Sequence, residues 1–409
     1  MQYVIIGNGP AAIWAVEGIR RFDREGTIVL FSKEDEASYS RPLISYLLLG
    51  NTDEARMRYR GEDFYELQRV DFRKGVEAVS IDKENQTVTA SDGSVTAYDR
   101  LLLATGARPF VPPAEGLEQI PYHTFMTLED ARGLRAALKP ESRVLIVGAG
   151  LIGLKCLEGI RHLCGDVTVV DLAPQILPSI LDAEAAAMVH KHIEKQGVSF
   201  VLGDCVTAFH GHEAVTRGGR VLPFDVLVMA VGVRPETALA CQMGLDAARG
   251  IETDARGETA IPGVFAAGDC AKSVDVTTGL PKVLALLPNA AMQGETCGAA
   301  MAGGSVEKPA SIAMNAMGMF GLHMITAGTM EGEEHIVRSP GSYKRLCTKD
   351  NRLMGYIMVG DVERAGIYTA LIREQTPLDT IDFDLMLEKP QLMAFSRRDR
   401  QMRMGGGRL

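Results

Sequence analysis

The feature that most constrains the fold of this chain is a segment pattern that occurs twice. In each copy an apolar strand runs into a glycine-rich turn, which opens a helix-like stretch and leads to a second apolar strand. The first strands are residues 3–6 and 144–147. The two turns are Gly7-Asn8-Gly9-Pro10-Ala11-Ala12 and Gly148-Ala149-Gly150-Leu151-Ile152-Gly153. This order is that of a βαβ unit, so we predict an α/β protein with two related parallel-sheet domains.

Both copies also end alike, each with an apolar strand followed by a Gly-x-Arg-Pro turn. The turns are Gly106-Ala107-Arg108-Pro109 and Gly232-Val233-Arg234-Pro235. A further short apolar strand, 264–267, ends at Gly268-Asp269 and is followed by a predicted helix from Ala290 to Ala302. A repeat of this length with matching ends indicates two related nucleotide-binding domains.

The pattern changes from about Val306, where the glycine motifs cease. Mixed strands follow, with one predicted helix near Ile367–Arg373, so we expect a third, α+β domain. The chain from Ser396 onward holds five arginines and the run Gly405-Gly406-Gly407, which predicts a loose basic tail.

Composition excludes several classes of function. Forty-three basic and 52 acidic side chains give a net charge of −9, which disfavours binding to nucleic acid or to an anionic membrane. No apolar run approaches the roughly 18–20 residues that span a bilayer. The start of the chain has no basic segment and no cleavage site, which favours a cytoplasmic protein. The seven cysteines form no CxxC pair, which argues against disulfides and against zinc or iron–sulfur sites.

The glycine turns themselves predict dinucleotide binding. Backbone N–H groups at a helix N-terminus, together with the helix dipole, attract a pyrophosphate. The residue that ends the second strand then selects the ribose. In the second copy this residue is Asp171, whose carboxylate accepts from a free 2′-hydroxyl and repels a 2′-phosphate, so NADH is favoured over NADPH. In the first copy the position is Ser32 or Lys33, with Glu34 close behind, and the choice stays open.

Taken together, the two Rossmann units, the paired Gly-x-Arg-Pro turns and the Ala-Gly-Asp turn resemble the FAD- and NAD(P)-dependent pyridine nucleotide oxidoreductases. Residues 39–45 (YSRPLIS) and 176–182 (ILPSILD) are similar to the rubredoxin reductase, ferredoxin reductase and nitrite reductase branch. The resemblance is strong to about residue 300 and looser beyond. It implies an FAD-binding domain from 1–110 and 236–304, an NAD-binding domain from 111–235, and a C-terminal α+β interface domain from 305–409 that includes the basic tail.

The resemblance also implies the site residues. Those expected to bind FAD are Gly7, Gly9, Pro10, Ala11, Ala12, Ser32, Lys33, Arg41, Pro42, Val76, Ala104, Thr105, Gly106, Gly268, Asp269 and Gln293. Those expected to bind NADH are Gly148, Gly150, Leu151, Ile152, Gly153, Asp171, Val231 and Gly232. Within the first set, Asp269 would hydrogen-bond the ribitol and Gln293 would reach the flavin. The alternatives are a plain loop at Arg41-Pro42 and a solvated helix residue at Gln293.

Two departures from the family bear on mechanism. Relatives that reduce disulfides or peroxides carry cysteines near the flavin, whereas this chain has none before Cys156, so electrons cannot leave through a thiol. Many relatives have a glutamate near flavin N5, paired with a lysine, where this chain has Lys155 and Tyr46. An ammonium beside N5 would raise the flavin potential. The alternative is a lysine that extends to water.

The resemblance therefore implies an enzyme that takes hydride from NADH and passes electrons to an external acceptor, a rubredoxin or a ferredoxin-type carrier. The alternatives are an NADH oxidase acting on oxygen and a flavin-binding subunit of a larger electron-transfer complex. The oligomeric state stays open, with a homodimer among the options.

Three remaining features have two interpretations each. The methionines between Met314 and Met330 are either core or a soft surface for a partner. The arginines of the tail either steer an acidic carrier or are simply solvated. The histidine pairs at 190/192 and 210/212 lack accompanying metal ligands, so no metal site is predicted.

Overall fold

Both glycine-rich turns join strands of parallel sheets. The protein is described by a computed structural model that covers residues 1–307 and 309–404, with side chains to residue 400. The strands of the first segment are β1 Gln2–Ile6, β2 Thr27–Ser32, β3 Val70–Lys74, β4 Ala78–Asp82, β5 Thr87–Ala90, β6 Val95–Ala97, β7 Arg100–Leu103 and β8 Ala107–Pro109. Its helices are α1 Pro10–Phe22, α2 Ile44–Leu48 and α3 Phe64–Leu67.

The second segment repeats this organisation. Its helices are α4 Leu128–Ala137, α5 Leu151–Ile160 and α6 Ala183–Glu194. Its strands are β9 Arg143–Val147, β10 Asp166–Asp171, β11 Val198–Leu202, β12 Val206–His210, β13 Glu213–Thr216, β14 Val221–Pro223, β15 Val226–Met229 and β16 Val233–Pro235. The elements that follow are α7 Ala238–Gln242, β17 Val264–Ala266, β18 Ser273–Val274, β19 Pro281–Lys282 and α8 Leu287–Met301.

The strand orders of the two main sheets show the repeat directly. The first sheet has the order β17-β7-β1-β2-β3 and the second β11-β10-β9-β15, and all neighbouring strands in both are parallel. In each sheet the strand before the glycine turn lies between the strand that follows the helix and the strand that ends the copy. Small antiparallel sheets, β4-β5-β6 and β12-β13-β14, accompany them. The predicted α/β class is confirmed.

Helices α1 and α8 pack with their backbones in close contact, which glycine makes possible. A Cβ atom at Gly294 would lie 2.1 Å from the carbonyl oxygen of Ala11, and one at Gly298 would lie 2.1 Å from that of Ala15. Only glycine avoids these clashes, and close approach of helix backbones requires small residues at the contact. The packing places the region after β17 beside the first glycine turn, although the two are far apart in sequence.

The two Gly-x-Arg-Pro turns pair with each other. Strands β8 and β16 form an antiparallel ribbon in which Arg108 lies opposite Arg234. The ribbon is extended by a hydrogen bond of 2.9 Å from the Phe110 N–H to the Gly232 carbonyl, and by one of 2.8 Å from the Glu236 N–H to the Gly106 carbonyl. The repeated ends therefore form the connection between the two units. The domain limits at 110, 235 and 304 stay predictions.

The C-terminal part is a five-stranded antiparallel sheet with helices. Its strands are β20 Met314–Met319, β21 Leu322–Gly328, β22 Glu333–Ser339, β23 Ser342–Lys349 and β24 Arg352–Val359, in the order β20-β21-β24-β23-β22. Its helices are α9 Ala365–Arg373, α10 Phe383–Glu388 and α11 Arg397–Met404. The sequence predicted only the first of these helices, and it placed the start of α8 three residues too late.

The prediction of a loose tail from Ser396 is wrong for α11. The Ser396 side chain accepts from the Asp399 N–H at 3.2 Å, and the two side chains hydrogen-bond each other at 2.5 Å. This N-terminal capping pair satisfies donors that otherwise lack partners at a helix start. The run 405–407, Arg408 and the side chain of Arg403 lie outside the described residues.

The methionine-rich strands belong to the core. Met319 and Met324 are fully buried in one apolar cluster with residues of α5, α6 and the second parallel sheet. Met317 and Met330 pack against that cluster. Buried methionines fill irregular gaps between packed elements. Met319 and Met324 therefore join the C-terminal sheet to the second unit, whereas Met314, Met317 and Met330 are only partly buried, and their role as a surface for a partner stays a prediction.

Candidate functional site

The first glycine turn is shaped by close backbone approach. Gly7 has φ of 111°, and a Cβ there would lie 2.1 Å from the carbonyl oxygen of Ala104, which follows β7. Gly9 is the N-cap residue of α1 and makes no side-chain capping bond, and a Cβ there would have no neighbour within 4 Å. The N-terminus of α1 therefore faces open space, which fits a pyrophosphate. Ala12 is fully buried behind the turn.

The second turn has the same construction. Gly148 has φ of 117° and lies against Ala230 and Val231, with an ideal Cβ 2.2 Å from the Ala230 carbonyl oxygen. A Cβ at Gly150 would again face open space, whereas one at Gly153 would clash with the Gly148 carbonyl at 2.0 Å. Glycine at the last position thus allows α5 to approach the turn.

The Asp171 carboxylate lies over this second turn. Its Oδ2 accepts a hydrogen bond of 2.6 Å from the Ala149 N–H, and its Oδ1 accepts one of 2.8 Å from the Ala173 N–H. Each oxygen keeps a further lone pair for a ligand hydroxyl. The backbone therefore holds the carboxylate where a ribose beside the turn would meet it.

The Gly268-Asp269 turn follows β17 and touches the start of α1. An ideal Cβ at Gly268 would be 3.1 Å from the Ala11 Cβ. The Gly268 N–H donates to Gln293 Oε1 at 3.0 Å, and Gln293 is only 3% exposed, so it is not a solvated helix residue. Burial raises the pKa of Asp269, and the charge of Arg41 opposes that rise.

Arg41 and Pro42 lie in a short 3-10 turn, Arg41–Leu43, which is tied to both units. The Arg41 guanidinium forms an ion pair with Glu34 and donates to the Met126 carbonyl at 2.9 Å. The Tyr39 hydroxyl donates to the same Glu34 carboxylate at 2.6 Å and accepts from the first N–H of α4 at 2.8 Å. These contacts order the segment, so it is not a plain loop.

The remaining residues predicted around the first turn have local partners. Ser32 is buried, and its hydroxyl donates to the Glu34 carbonyl at 2.8 Å. Lys33 is exposed and lies 3.1 Å from Glu77, while Val76 packs at the edge of the core. The Thr105 hydroxyl donates to the Glu236 carbonyl at 2.5 Å, beside Gly106 in its left-handed conformation.

Lys155 is enclosed by three partners. Its ammonium pairs with Glu158, lies 4.5 Å from the centre of the Tyr46 ring, and is 3.4 Å from the Gly318 carbonyl of β20. The Glu158 carboxylate also accepts from the Phe320 N–H at 2.7 Å. The lysine therefore does not extend freely to water. Its role in tuning a flavin stays a prediction, and the paired carboxylate offsets part of its charge.

The histidines and Cys156 have local surroundings in the structure. His192 Nε2 lies 3.0 Å from the Phe320 carbonyl, while His190 packs edge-on to Phe200. Burial raises the pKa of the Cys156 thiol. Within residues 1–307 and 309–404, no three His, Cys, Asp or Glu side chains are grouped as metal ligands. Over the same residues, no helix has the length and apolar character to cross a membrane.

Sequence reasoning missed a group of polar residues around the first turn. Asn8 donates to the Glu36 carbonyl at 3.1 Å and accepts from the Tyr65 hydroxyl at 2.8 Å. Two hydroxyl oxygens near this group, of Ser38 and Tyr59, are buried. No local motif marks these residues, because contacts between distant segments place them.

Comparison with known proteins identifies the family. Residues 1–294 match the model of the pyridine nucleotide-disulphide oxidoreductases, and 314–376 match that of the rubredoxin NAD+ reductase C-terminal domain. The NADH-dependent phenylglyoxylate dehydrogenase subunit epsilon of Aromatoleum evansii is 31% identical over 390 residues, covering 92% of each chain. A rubredoxin-NAD(+) reductase of Pseudomonas putida is 30% identical over 315 residues, covering 76% of this chain and 82% of that one.

A solved structure shows the same architecture over nearly the whole length. The ferredoxin reductase for the CYP199A2 system from Rhodopseudomonas palustris superimposes with a TM-score of 0.86 at 26% identity, covering 95% of this chain and 99% of that one. The resemblance noted from the motifs is thereby confirmed. With two glycine-cradled helix starts, a matching C-terminal sheet and a family model spanning residues 1–294, this chain belongs to the pyridine nucleotide-disulphide oxidoreductases, a family of FAD- and NAD-dependent flavoproteins.

Proposed function

We propose that this protein is an FAD-dependent oxidoreductase that takes hydride from NADH and passes electrons to a separate carrier of the rubredoxin or ferredoxin type. The observation that carries the proposal is the pair of glycine-cradled helix N-termini, one of them with the Asp171 carboxylate held over it. FAD, when bound, accepts two electrons from NADH and releases them one at a time.

We assign the residues of the first unit to FAD. Gly7 and Gly9 let the backbone approach the pyrophosphate, and the N-terminus of α1 supplies backbone N–H groups and the positive end of the helix dipole. Asp269 is close to this turn and accepts from a ribityl hydroxyl. Gln293 orients the turn before Asp269 through its bond to the Gly268 N–H.

We assign the second unit to NADH. Gly148, Gly150 and Gly153 form the pyrophosphate cradle, and Asp171 accepts from the 2′-hydroxyl of the adenosine ribose. The same carboxylate repels a 2′-phosphate, because two negative charges close together raise the free energy of the bound state.

The acceptor is proposed to be a separate protein because no cysteine precedes Cys156, so none stands near α1 or at Pro42, where the resemblance places redox cysteines. The first cysteine, Cys156, is fully buried in α5, and burial raises the pKa of its thiol, so it stays protonated. Similarity to a rubredoxin-NAD(+) reductase and to a ferredoxin reductase supports a small iron–sulfur or iron carrier as the acceptor.

The experiment is an anaerobic titration of the purified yellow protein with NADH, followed by addition of oxidised rubredoxin, then of a ferredoxin. Bleaching by NADH and rapid reoxidation by one carrier support the proposal. If NADH does not bleach the protein, the proposed function is wrong. Rapid reoxidation by air, with no gain from either carrier, would favour the oxidase.

One observation favours a second candidate, an electron-transfer subunit of a larger complex. The Aromatoleum evansii relative is itself a subunit, and the match spans 92% of both chains. This candidate predicts that NADH bleaches the protein, that isolated carriers do not reoxidise it, and that it co-purifies with partner subunits from its native cells.

A further inference from the structure

Two short segments beside the first glycine turn pair in antiparallel fashion. The Ser40 N–H donates to the Met57 carbonyl at 2.8 Å, the Tyr59 N–H donates to the Ser38 carbonyl at 3.1 Å, and the residues between them form a bridge. In extended pairs, alternate side chains share a face and opposite residues are neighbours. Ser38 and Tyr59 are therefore neighbours on one face, together with Ser40.

The hydroxyls of Ser38 and Tyr59 share an unusual property. Both oxygens are buried, and neither makes a well-aligned hydrogen bond within the described part of the chain, although the Ser40 side chain lies close enough to the Tyr59 hydroxyl to lower its pKa. Buried polar atoms in folded proteins almost always have a partner, so two such atoms on one face need an explanation. A buried hydroxyl without a hydrogen-bond partner destabilises the folded protein unless a ligand supplies the missing hydrogen bond.

The surroundings of Tyr59 point to the ligand. Its ring packs edge-on against Trp14 of α1, with 5.8 Å between ring centres. Burial raises the pKa of Tyr59, while a polar contact with the Ser40 side chain and the charge of Arg41 oppose that rise. The ring contact with Trp14 and the backbone pairing that leads into Arg41 place the phenol beside α1 and the Arg41 segment, which we assign to FAD.

The surroundings of Ser38 connect it to the glycine turn. Its N–H donates to the Tyr65 hydroxyl at 3.1 Å, and that hydroxyl donates to Asn8 Oδ1 at 2.8 Å. Asn8 stands between Gly7 and Gly9. The segment that carries Ser38 is therefore anchored directly to the predicted pyrophosphate cradle.

We infer that the Tyr59 hydroxyl hydrogen-bonds the ribityl–pyrophosphate portion of bound FAD, and that the Ser38 hydroxyl is a second contact to the same portion. This inference rests on the proposed function. The two hydroxyls supply uncharged hydrogen-bonding groups. The glycine turn supplies space for the pyrophosphate, and the helix N-terminus supplies positive charge that complements it. Both residues are positioning residues for the cofactor and take no part in proton or electron transfer.

The test compares Tyr59→Phe with wild type in the apoprotein and holoprotein of the full chain. Without FAD, the variant removes an unpaired buried hydroxyl, so the melting temperature should stay equal or rise. With FAD, the variant loses one hydrogen bond, so the Kd of FAD, measured by fluorescence titration of the apoprotein, should rise about five- to tenfold. A purely structural tyrosine would not show opposite effects in the two states.

Tyr98→Phe is the matched control, because Tyr98 is a buried tyrosine in a separate apolar cluster. It should leave the Kd of FAD unchanged. Ser38→Ala provides a second variant, with a threefold or larger rise in Kd expected on the same grounds. It also decides the question if Tyr59→Phe does not fold.

The outcomes separate this inference from the proposed function. Wild-type protein that binds no FAD refutes the proposed function and the inference with it. Wild-type protein that binds FAD, together with Tyr59→Phe and Ser38→Ala variants of unchanged Kd, refutes only the inference. A lower melting temperature of apo Tyr59→Phe than of apo wild type would also overturn the inference, because the hydroxyl would then stabilise the protein without FAD.

Discussion

Replacing Asp171 tests the assignment of the second unit, because this side chain has one role in the structure and a second role in the proposed function. Its carboxylate accepts from the Ala149 and Ala173 N–H groups, which shapes the turn, and we propose that it also accepts from a ribose hydroxyl. Asp171→Ala removes both roles. Asp171→Asn keeps one acceptor oxygen for the turn and removes the negative charge.

The magnitude follows from the bonds involved. A hydrogen bond to a charged group contributes about 1.5–3 kcal/mol, so losing the ribose contact should lower kcat/KM for NADH by about 10- to 150-fold. Damage to the turn lowers kcat/KM for NADH and NADPH alike. Loss of the charge removes the repulsion of the 2′-phosphate, so kcat/KM for NADPH should fall less than that for NADH, or should rise. The ratio of the two efficiencies should therefore fall at least tenfold in both variants.

The assay is steady-state reduction of ferricyanide, or of a carrier, at varied NADH and NADPH. A fall in both efficiencies with an unchanged ratio would refute the assignment, since it would show that Asp171 only supports the turn. The Asn variant is decisive here, because it preserves part of the turn. If its NADH efficiency equals that of wild type, the carboxylate does not contact the ribose.

Three further predictions concern packing, charge and pH. Gly294→Ala should destabilise the protein by about 1–3 kcal/mol in urea unfolding, because its Cβ would meet an α1 carbonyl, whereas Gly366→Ala, which has open space, should not destabilise it. Lys155→Glu should lower the flavin midpoint potential in a dye titration. An unchanged potential would show that Lys155 does not act on the flavin. Burial alone would raise the pKa of Asp182, but bonds from Tyr343 and other donors bring it below its usual value. Its contribution is complete above the unfolded pKa of about 3.9 and is lost as pH falls through the lower folded value, so Asp182→Ala should cost about 1–2 kcal/mol at pH 7 and progressively less as the pH is lowered below about 3.9 in melting experiments.

Much of the fold could be predicted from local sequence patterns. Each glycine turn lies within a few residues of the strand and helix that it joins, so the two parallel sheets could be predicted from short windows. Helix ends were less accurate. The start of α8 and the existence of α10 and α11 depend on capping and on packing against the C-terminal sheet, which short windows represent poorly.

The candidate site divides along the same line. The sequence by itself determined the glycine cradles and the carboxylate at Asp171, because residues close along the chain form them. Only the tertiary structure decided that Gln293 reaches the Gly268 turn, that the two Gly-x-Arg-Pro turns pair, and that the Ser38 and Tyr59 hydroxyls are buried. The physical reason is that these arrangements depend on close packing and hydrogen bonds between segments far apart in the chain, which no local periodicity records.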